Sequence, residues 1–284
     1  MQLITWNIQW CRGCDGIVDP ARIVRVCTEM ADFDVLCFQE VPRNYPELKG
    51  SRGEDQFAAL AAELPGFTPI EGVAVDVLAT NGARRQFGNA IFSRLPVLQI
   101  FRHLLPFPAD PRVPEMQRVA VEAVVAATSG PVRVTTTHLA YYSPNQRVAQ
   151  VGRLRGLQAE AAGHAGDAAH AHKEGGPFQT VPRPASAILT ADFNFRPEDP
   201  LYARLQEPLA VGVPAYRDSW RIAHPDKPHQ PTLGVYDKAQ WPGEAFCCDF
   251  IFVTEDLAPR VEDVNVDGAT DASDHQPVLL KLDF

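Results

Sequence analysis

Lysine is scarce in this chain. Only five of its 284 residues are Lys (positions 49, 173, 227, 238 and 281), so 21 of the 26 basic residues are Arg. Set against 35 acids, they leave a formal net charge of −9, which excludes the broadly cationic surface that coats nucleic acid. A local phosphate site is not excluded, and Arg is the better bidentate partner for phosphate. Codon bias accounts better for the Arg excess, because Ala, Gly and Pro are abundant too. No apolar run reaches the length needed to span a bilayer, so no stable membrane insertion is expected. The opening Met1-Gln2-Leu3-Ile4-Thr5-Trp6 has no basic flank and no apolar h-region, so no signal peptide is expected. Six cysteines (11, 14, 27, 37, 247 and 248) are too few for a disulfide framework at this length, and a cytoplasmic location is expected. There is no Arg/Lys run to follow a duplex and no basic amphipathic stretch to dock on a membrane. No protein partner is evident.

Hydrophobic residues make up 45% and charged residues 21%, a composition that buries an ordinary globular core. Strand and helix signals interleave from end to end with no break in composition, so one domain over 1–284 is expected. Gln2 to Ile8 reads as a strand. Asp19-Pro20 supplies an N-cap with proline at the first helical position, and Ile23, Val24, Cys27 and Met30 recur at helical spacing. Val35 to Gln39 is a continuous apolar run closed by Glu40, as in a strand buried on both faces. The phrase then repeats. Val132 to Leu139 is a strand, Ser143-Pro144 opens a helix carrying Val148, Val151, Leu154 and Leu157, and Ala187 to Asp192 is a second buried strand ending in an acid. Two β-α-β halves predict an α/β fold with two sheets packed face to face and helices outside.

Between and after these halves the pattern predicts a helix over 55–64, strands near 88–93, 98–102 and 117–127, helical pieces after Asp199 and Asp218, and strands at 248–253 and 278–282. The Gly163 to Pro184 stretch is rich in Ala, Gly, His and Pro and reads as a surface loop; its His164, His170 and His172 raise a metal clip only as the weaker alternative. The topology puts it at the end of the fold away from any site at the strand ends. A second loop, His224 to Gly243, is placed to rim such a site. Cys11 and Cys14 form a lone CxxC with no second pair at zinc spacing, and loop packing is the expected role.

Polar residues stand where strands stop: Asn7, Glu40, His138, Asp192 with Asn194, Asp249, and Asp274 with His275. Acids set into apolar strands are costly without a partner, and a divalent cation is the usual partner. An oxygen-rich set selects a hard cation, Mg²⁺ or Mn²⁺. Asp274-His275 suits general base work, with His275 taking a proton from water and Asp249 on a neighbouring strand to orient it. Arg118, Asn145 and Arg147 are candidate phosphate contacts. Trp10, Tyr141 and Tyr142 follow site strands; core packing is the more common fate of such rings, with stacking on a base or a lipid head group as the alternative.

The series Thr5-Trp6-Asn7-Ile8, Phe38-Gln39-Glu40, Thr137-His138-Leu139, Asp192-Phe193-Asn194, Asp249-Phe250-Ile251-Phe252 and Ser273-Asp274-His275-Gln276-Pro277-Val278 resembles the ordered motifs of the endonuclease/exonuclease/phosphatase superfamily. Gly88 to Arg94 resembles a further strand of many members. The resemblance spans residues 3 to 278. It implies a four-layer α/β sandwich with two mixed β-sheets. It also implies that Glu40 is the main metal ligand with Asn7 and Asp274 near it, and that Asp192 positions or deprotonates the attacking water. Asn194 would hydrogen-bond a phosphate oxygen, and His275, held by Asp249, would contact the phosphate or act as base. His138 matches a His of deoxyribonuclease-like and sphingomyelinase-like members; Gln86 or Arg85 falls where such members place its acid. The implied activity is metal-dependent hydrolysis of a phosphodiester, in a nuclease or a small-phosphodiester hydrolase. A sphingomyelinase-like phospholipid phosphodiesterase and a catalytically silent binding protein on the same fold are the alternatives.

Overall fold

The structure, a computed structural model, describes residues 1–80, 82–166, 176–179 and 181–284. In chain order its elements are β1 (Gln2–Asn7), α1 (Pro20–Met30), β2 (Val35–Arg43), α2 (Gln56–Glu63), β3 (Thr68–Leu78), β4 (Arg84–Ser93), β5 (Val97–Leu104), β6 (Val119–Ala127), β7 (Gly130–His138), α3 (Pro144–Gly166), β8 (Ala187–Asp192), α4 (Pro200–Gln206), β9 (Tyr216–Asp218), α5 (Ser219–Ala223), β10 (Asp249–Thr254), β11 (Val261–Val266) and β12 (Val278–Leu282). Aspartates start four of the five α-helices, and Ser143 precedes α3. Asp19, Asp55, Asp199 and Asp218 each accept a hydrogen bond from a first-turn backbone N–H, satisfying a donor the helix leaves open.

The strands form two six-stranded sheets, ordered β11-β12-β1-β2-β4-β3 and β5-β6-β7-β8-β10-β9. Each is mixed. The parallel pairs are β1 with β2 and β7 with β8, and they are the two β-α-β units read from the sequence, with α1 and α3 as crossovers. Three apolar layers hold four layers of structure together. Between the sheets, Leu3, Val35 and Ile91 meet Val121, Val134 and Ile188. Outside the first sheet, Trp6, Leu36 and Phe38 pack on Ile23, Cys27 and Phe57. Outside the second, Leu189, Phe250 and Phe252 pack on Val151, Leu154 and Leu157. Strands β1, β2, β8 and β10 are therefore apolar on both faces, and each such Leu, Ile or Phe contributes roughly 1.5–3 kcal/mol by burial. This is the four-layer sandwich that the sequence predicts.

The structure departs from the sequence reading in several elements. Strands β3, β9 and β11 went unread, because β3 carries Pro69, Gly72 and Asp76 along a sheet edge and the other two are short or polar. In α3, Val148 faces solvent. The buried face instead takes Gln146, Gln150 and Gln158, whose amides serve the carbonyls of Pro108, Pro106 and Ala185. The same helix runs on to Gly166, so the first positions of the expected loop are helical, with His164 exposed in the last turn. His170 and His172, the remaining members of the weaker metal-clip reading, lie outside the described residues.

Candidate active site

The topology gathers the polar strand ends at one edge of the sandwich. Register sets Asn7 beside Gln39, His138 beside Asp192, and Asp192 beside Asp249. The Ser273-Asp274-His275 turn leads into β12, which runs antiparallel to β1, so it meets the same edge. Trp6 fixes that turn by donating its indole N–H to the His275 carbonyl at 2.9 Å.

Glu40 is not a strand terminus. β2 continues to Arg43, and the pairing with β4 slips between Gln39 and Val41, so Glu40 is the extra residue of a β-bulge with φ of 63°. A second slip, in β3 between Val73 and Val75, faces the same Gly88. A Cβ at Gly88 would lie 2.0 Å from the Gly72 carbonyl oxygen, so only glycine lets the two irregularities sit back to back.

Asn7 ties three positions together. Its Nδ2 donates to Glu40 Oε1 at 3.2 Å and to Asp192 Oδ2 at 3.0 Å, while its Oδ1 accepts from the Gln9 backbone. Asp192 Oδ2 also lies 3.3 Å from His138 Nε2 and 3.7 Å from His275 Nε2. His275 Nδ1 and Asp249 Oδ2 are 2.9 Å apart. Thr232, which the sequence reading missed, donates its hydroxyl to that carboxylate oxygen at 2.6 Å. Asp274 Oδ2 accepts the indole N–H of Trp241 at 3.0 Å. Nothing in the local sequence around Thr232 or Trp241 announces either contact, since both come from the 224–243 loop folding over the strand ends.

Of these groups, Glu40, His138, Asp192, Asp274, His275 and Trp241 line a cavity of about 500 Å³, while Asn7, Asp249 and Thr232 support them without lining it, and the volume is within the usual range for small-molecule sites. Its electrostatics are those of crowded acids. Burial, then the neighbouring Asp274, pushes Glu40 up to about 7; burial, then Asp249, pushes Asp192 up to about 6. Burial drives His138 well below the usual histidine range, helped by Arg118 and His275. Burial would lower His275 too, but Asp249, Asp192 and Asp274 outweigh it and raise its pKa well above the usual value. Arg118 is pushed down to about 10 by burial against the pull of Glu40 and Asp192. Arg118 lines the cavity, and its Nε and Nη1 are buried without a hydrogen-bond partner.

The carboxylates in the cavity are oxygen donors of the kind a hard divalent cation takes, although among the described residues the ligand atoms that gather tightly are those of Cys248, Asp249 and His275. Glu40, Asp192 and Asp274 present oxygens to one cavity, and the hydrogen-bond donors around them are largely amide and indole N–H groups, which leaves two of these acids protonating near neutral pH. A cation among them removes that penalty.

Some expected residues lie elsewhere. Asn145 is exposed and does not line the cavity; Gln146 does. Arg147 spends Nη1 on the Ala140 and Tyr141 carbonyls, at 2.7 and 2.5 Å, and braces the loop after β7. Arg85 pairs with Glu47, and Gln86 with Arg43 and Asp76, so neither serves His138; its nearest acids are Asp192 and Glu40. Asn194 lines the cavity with its Nδ2 on the Leu139 carbonyl at 3.0 Å. All six cysteines are free, Cys11 buried and Cys14 beside the Ser273 carbonyl at 3.5 Å.

The sequence profile of the Endonuclease/Exonuclease/phosphatase family matches residues 4–275. The chain belongs to this family. Its members are hydrolytic phosphoesterases that generally use divalent metals. No curated protein matches the chain by sequence. Among solved structures, an endonuclease/exonuclease/phosphatase from Beutenbergia cavernae superposes with a TM-score of 0.71 at 23% identity, over 99% of this chain and 71% of that one. A mannosyl-6-phosphatase from Bacteroides thetaiotaomicron gives 0.66 at 18% identity over the whole of both chains. A 3′ phosphatase from Neisseria, bound to a product DNA hairpin, gives 0.60 at 21% identity, again over both whole chains. At these identities the likeness is one of fold. Among the described residues no helix is long and apolar enough to cross a membrane.

Proposed function

We propose that this family member hydrolyses a phosphodiester by in-line attack of water, with Mg²⁺ or Mn²⁺ as its cofactor. The observation that carries the reading is the convergence of Glu40, Asp192, Asp274, His138, His275 and Arg118 on one cavity. Glu40 and Asp274 would hold the cation, with Asn7 orienting Glu40 toward it. A bound divalent cation supplies positive charge to the phosphoryl and leaving oxygens.

The protein's own groups do the rest. Asp192 stands between two imidazoles with a pKa of about 6, suited to accept the proton of the attacking water as its oxygen bonds to phosphorus and the bond to the leaving oxygen breaks. His275, kept protonated by the acids around it, places a charged N–H on the phosphate and is the better donor; the base role falls to Asp192. His138, held neutral, orients Asp192. Arg118, which lines the cavity, sets its positive charge against an equatorial oxygen as charge develops there. Asn194 lines the phosphate position. The free thiols accord with action in the cytoplasm.

The test is hydrolysis of bis-p-nitrophenyl phosphate with Mg²⁺ or Mn²⁺ by the wild type and by Glu40→Ala, Asp192→Ala and His275→Ala. Each substitution is expected to lower kcat by at least about a hundredfold. Activity that survives metal removal, or full activity in Asp192→Ala, refutes the mechanism.

A further inference from the structure

Five rings line the cavity: Trp10 and Phe87, with Tyr141, Tyr142 and Trp241. They are unlike the rest of the aromatic inventory, much of which is core, since Tyr141 and Tyr142 are 43% and 55% exposed. They are also fixed. Trp10 donates its indole N–H to the Lys49 carbonyl at 3.0 Å, and Trp241 donates to Asp274 at 3.0 Å. Tyr141 stands edge-on to Tyr142, with centroids 4.8 Å apart, and to Trp241 at 5.9 Å. Trp10 and Trp241, anchored by these indole hydrogen bonds, lose little freedom when a ligand packs on them.

Positive charge is rationed in the opposite sense. Among the described residues that line the cavity, Arg118 is the one arginine, and no lysine lines it. Glu115, also at the wall, adds an acid beyond the proposed cation set. The groove next door shares Tyr141 and Asn194 with the cavity, and it holds Arg196 together with Glu198 and Asp199. Its guanidinium lies 4.0 Å over the Phe246 ring, and two carboxylates accompany it. A nucleic-acid strand threaded through both would set its flanking phosphates against net negative charge, where polymer binding requires cations in step with the backbone.

We infer that the substrate is a compact ester with a single phosphate and an uncharged planar ring, nucleoside-type or aryl, that stacks on the Tyr141–Tyr142–Trp241 wall. The inference rests on the phosphoesterase reading above and narrows it to substrates other than polynucleotides. Cavity size agrees, because about 500 Å³ is room enough for a mononucleotide-sized ester.

The test compares bis-p-nitrophenyl phosphate with methyl p-nitrophenyl phosphate, which share a leaving group and differ by one ring, alongside plasmid DNA and a single-stranded oligonucleotide. The two-ring ester is expected to show a kcat/KM about tenfold higher, as one ring stacking on another supplies. Tyr142→Ala should collapse that ratio, and Tyr142→Phe, which keeps the ring, should preserve it. Tyr142 is exposed, so neither variant threatens folding. Equal kcat/KM for the two esters, or a ratio untouched by Tyr142→Ala, overturns the ring wall while leaving the phosphoesterase reading intact. So does DNA cleavage more efficient than either ester and falling steeply with salt. Failure to cleave any phosphodiester with either metal overturns the phosphoesterase reading, and this inference with it.

Discussion

Replacing Glu40 with Gln should make the metal-free protein more stable at pH 8. The reasoning starts from its carboxyl, which burial and Asp274 carry from an ordinary 4.5 to about 7. A carboxyl with a raised folded pKa keeps its proton after the unfolded chain has lost it. Folding therefore weakens as pH rises from 4.5 to 7, and the full cost persists above that. Each tenfold change in proton affinity is worth about 1.4 kcal/mol, so the gap amounts to about 3 kcal/mol. Glu40 keeps 19% of its side chain exposed, and solvent screening trims the figure to about 2 kcal/mol. Gln keeps an oxygen for the Asn7 amide, so the exchange removes the charge and little else. Urea denaturation of chelator-treated protein measures it: Glu40→Gln should gain about 2 kcal/mol at pH 8 and less than about 1 kcal/mol at pH 5. Saturating Mn²⁺ should invert the order, since a cation at a hundred times its Kd adds about 2.7 kcal/mol to the wild type. A variant no more stable than wild type at pH 8, or equally stabilised at both pH values, refutes the charge-crowding argument.

Arg118→Met should lower kcat/KM by about a hundredfold by removing the one arginine charge among the described residues lining the cavity, whereas Arg147→Met should instead cost stability, about 1 kcal/mol by thermal denaturation, because its guanidinium serves backbone carbonyls. Asp249→Asn should lower the pKa of His275, read from its imidazole resonances by NMR. The His275 contribution to stability is present below its unfolded pKa and lost as pH rises through the raised folded value, so the variant should lose that stability at lower pH than wild type. Glu122→Gln should cost roughly 3 kcal/mol in urea denaturation, because this buried acid pairs with both Arg133 and Arg183, at 3.0 Å each.

Much of the architecture was legible because hydrophobic runs and caps are local signals. Val35 to Gln39 reads as a doubly buried strand from its composition alone, and Asp19-Pro20 marks a helix start by chemistry confined to two residues. Glu40, Asp192, Asp249 and His275 were found because an acid or imidazole after an apolar run is costly without a purpose. Residues whose role depends on the partner were not legible. Asn145 and Arg147 look alike as phosphate contacts in sequence, yet one points to solvent and the other holds its own loop. Val148 fits the helical spacing of α3, but the carbonyls above that face call for glutamines. Thr232 and Trp241 gain their meaning from strands that are distant in sequence.

The bulge at Glu40 belongs to a wider pattern. Among the described non-glycine residues, those with positive φ are Gln9, Trp10, Cys11, Glu40, Asn44 and Asn194, and of these Gln9, Trp10, Glu40 and Asn194 line the cavity. Left-handed backbone costs a side-chain-bearing residue about 1–2 kcal/mol and persists only where the surroundings enforce it. The enforcement is visible. The Gln9 backbone N–H is taken by Asn7 Oδ1, the Trp10 carbonyl by Gln56 Nε2 at 2.7 Å, and the Asn194 N–H by Asp192 Oδ1 at 3.0 Å. Two of those three anchors are site residues themselves. The groups proposed to handle the phosphate therefore also hold the backbone that aims their neighbours, so an Asn7 substitution should disturb the turn that carries Trp10, one of the five cavity rings, as well as the chemistry. Comparing ring preference with turnover in Asn7→Ala separates the two effects: an unchanged ratio between the two esters at reduced kcat would mean that the backbone turn at Gln9 and Trp10 stands without Asn7.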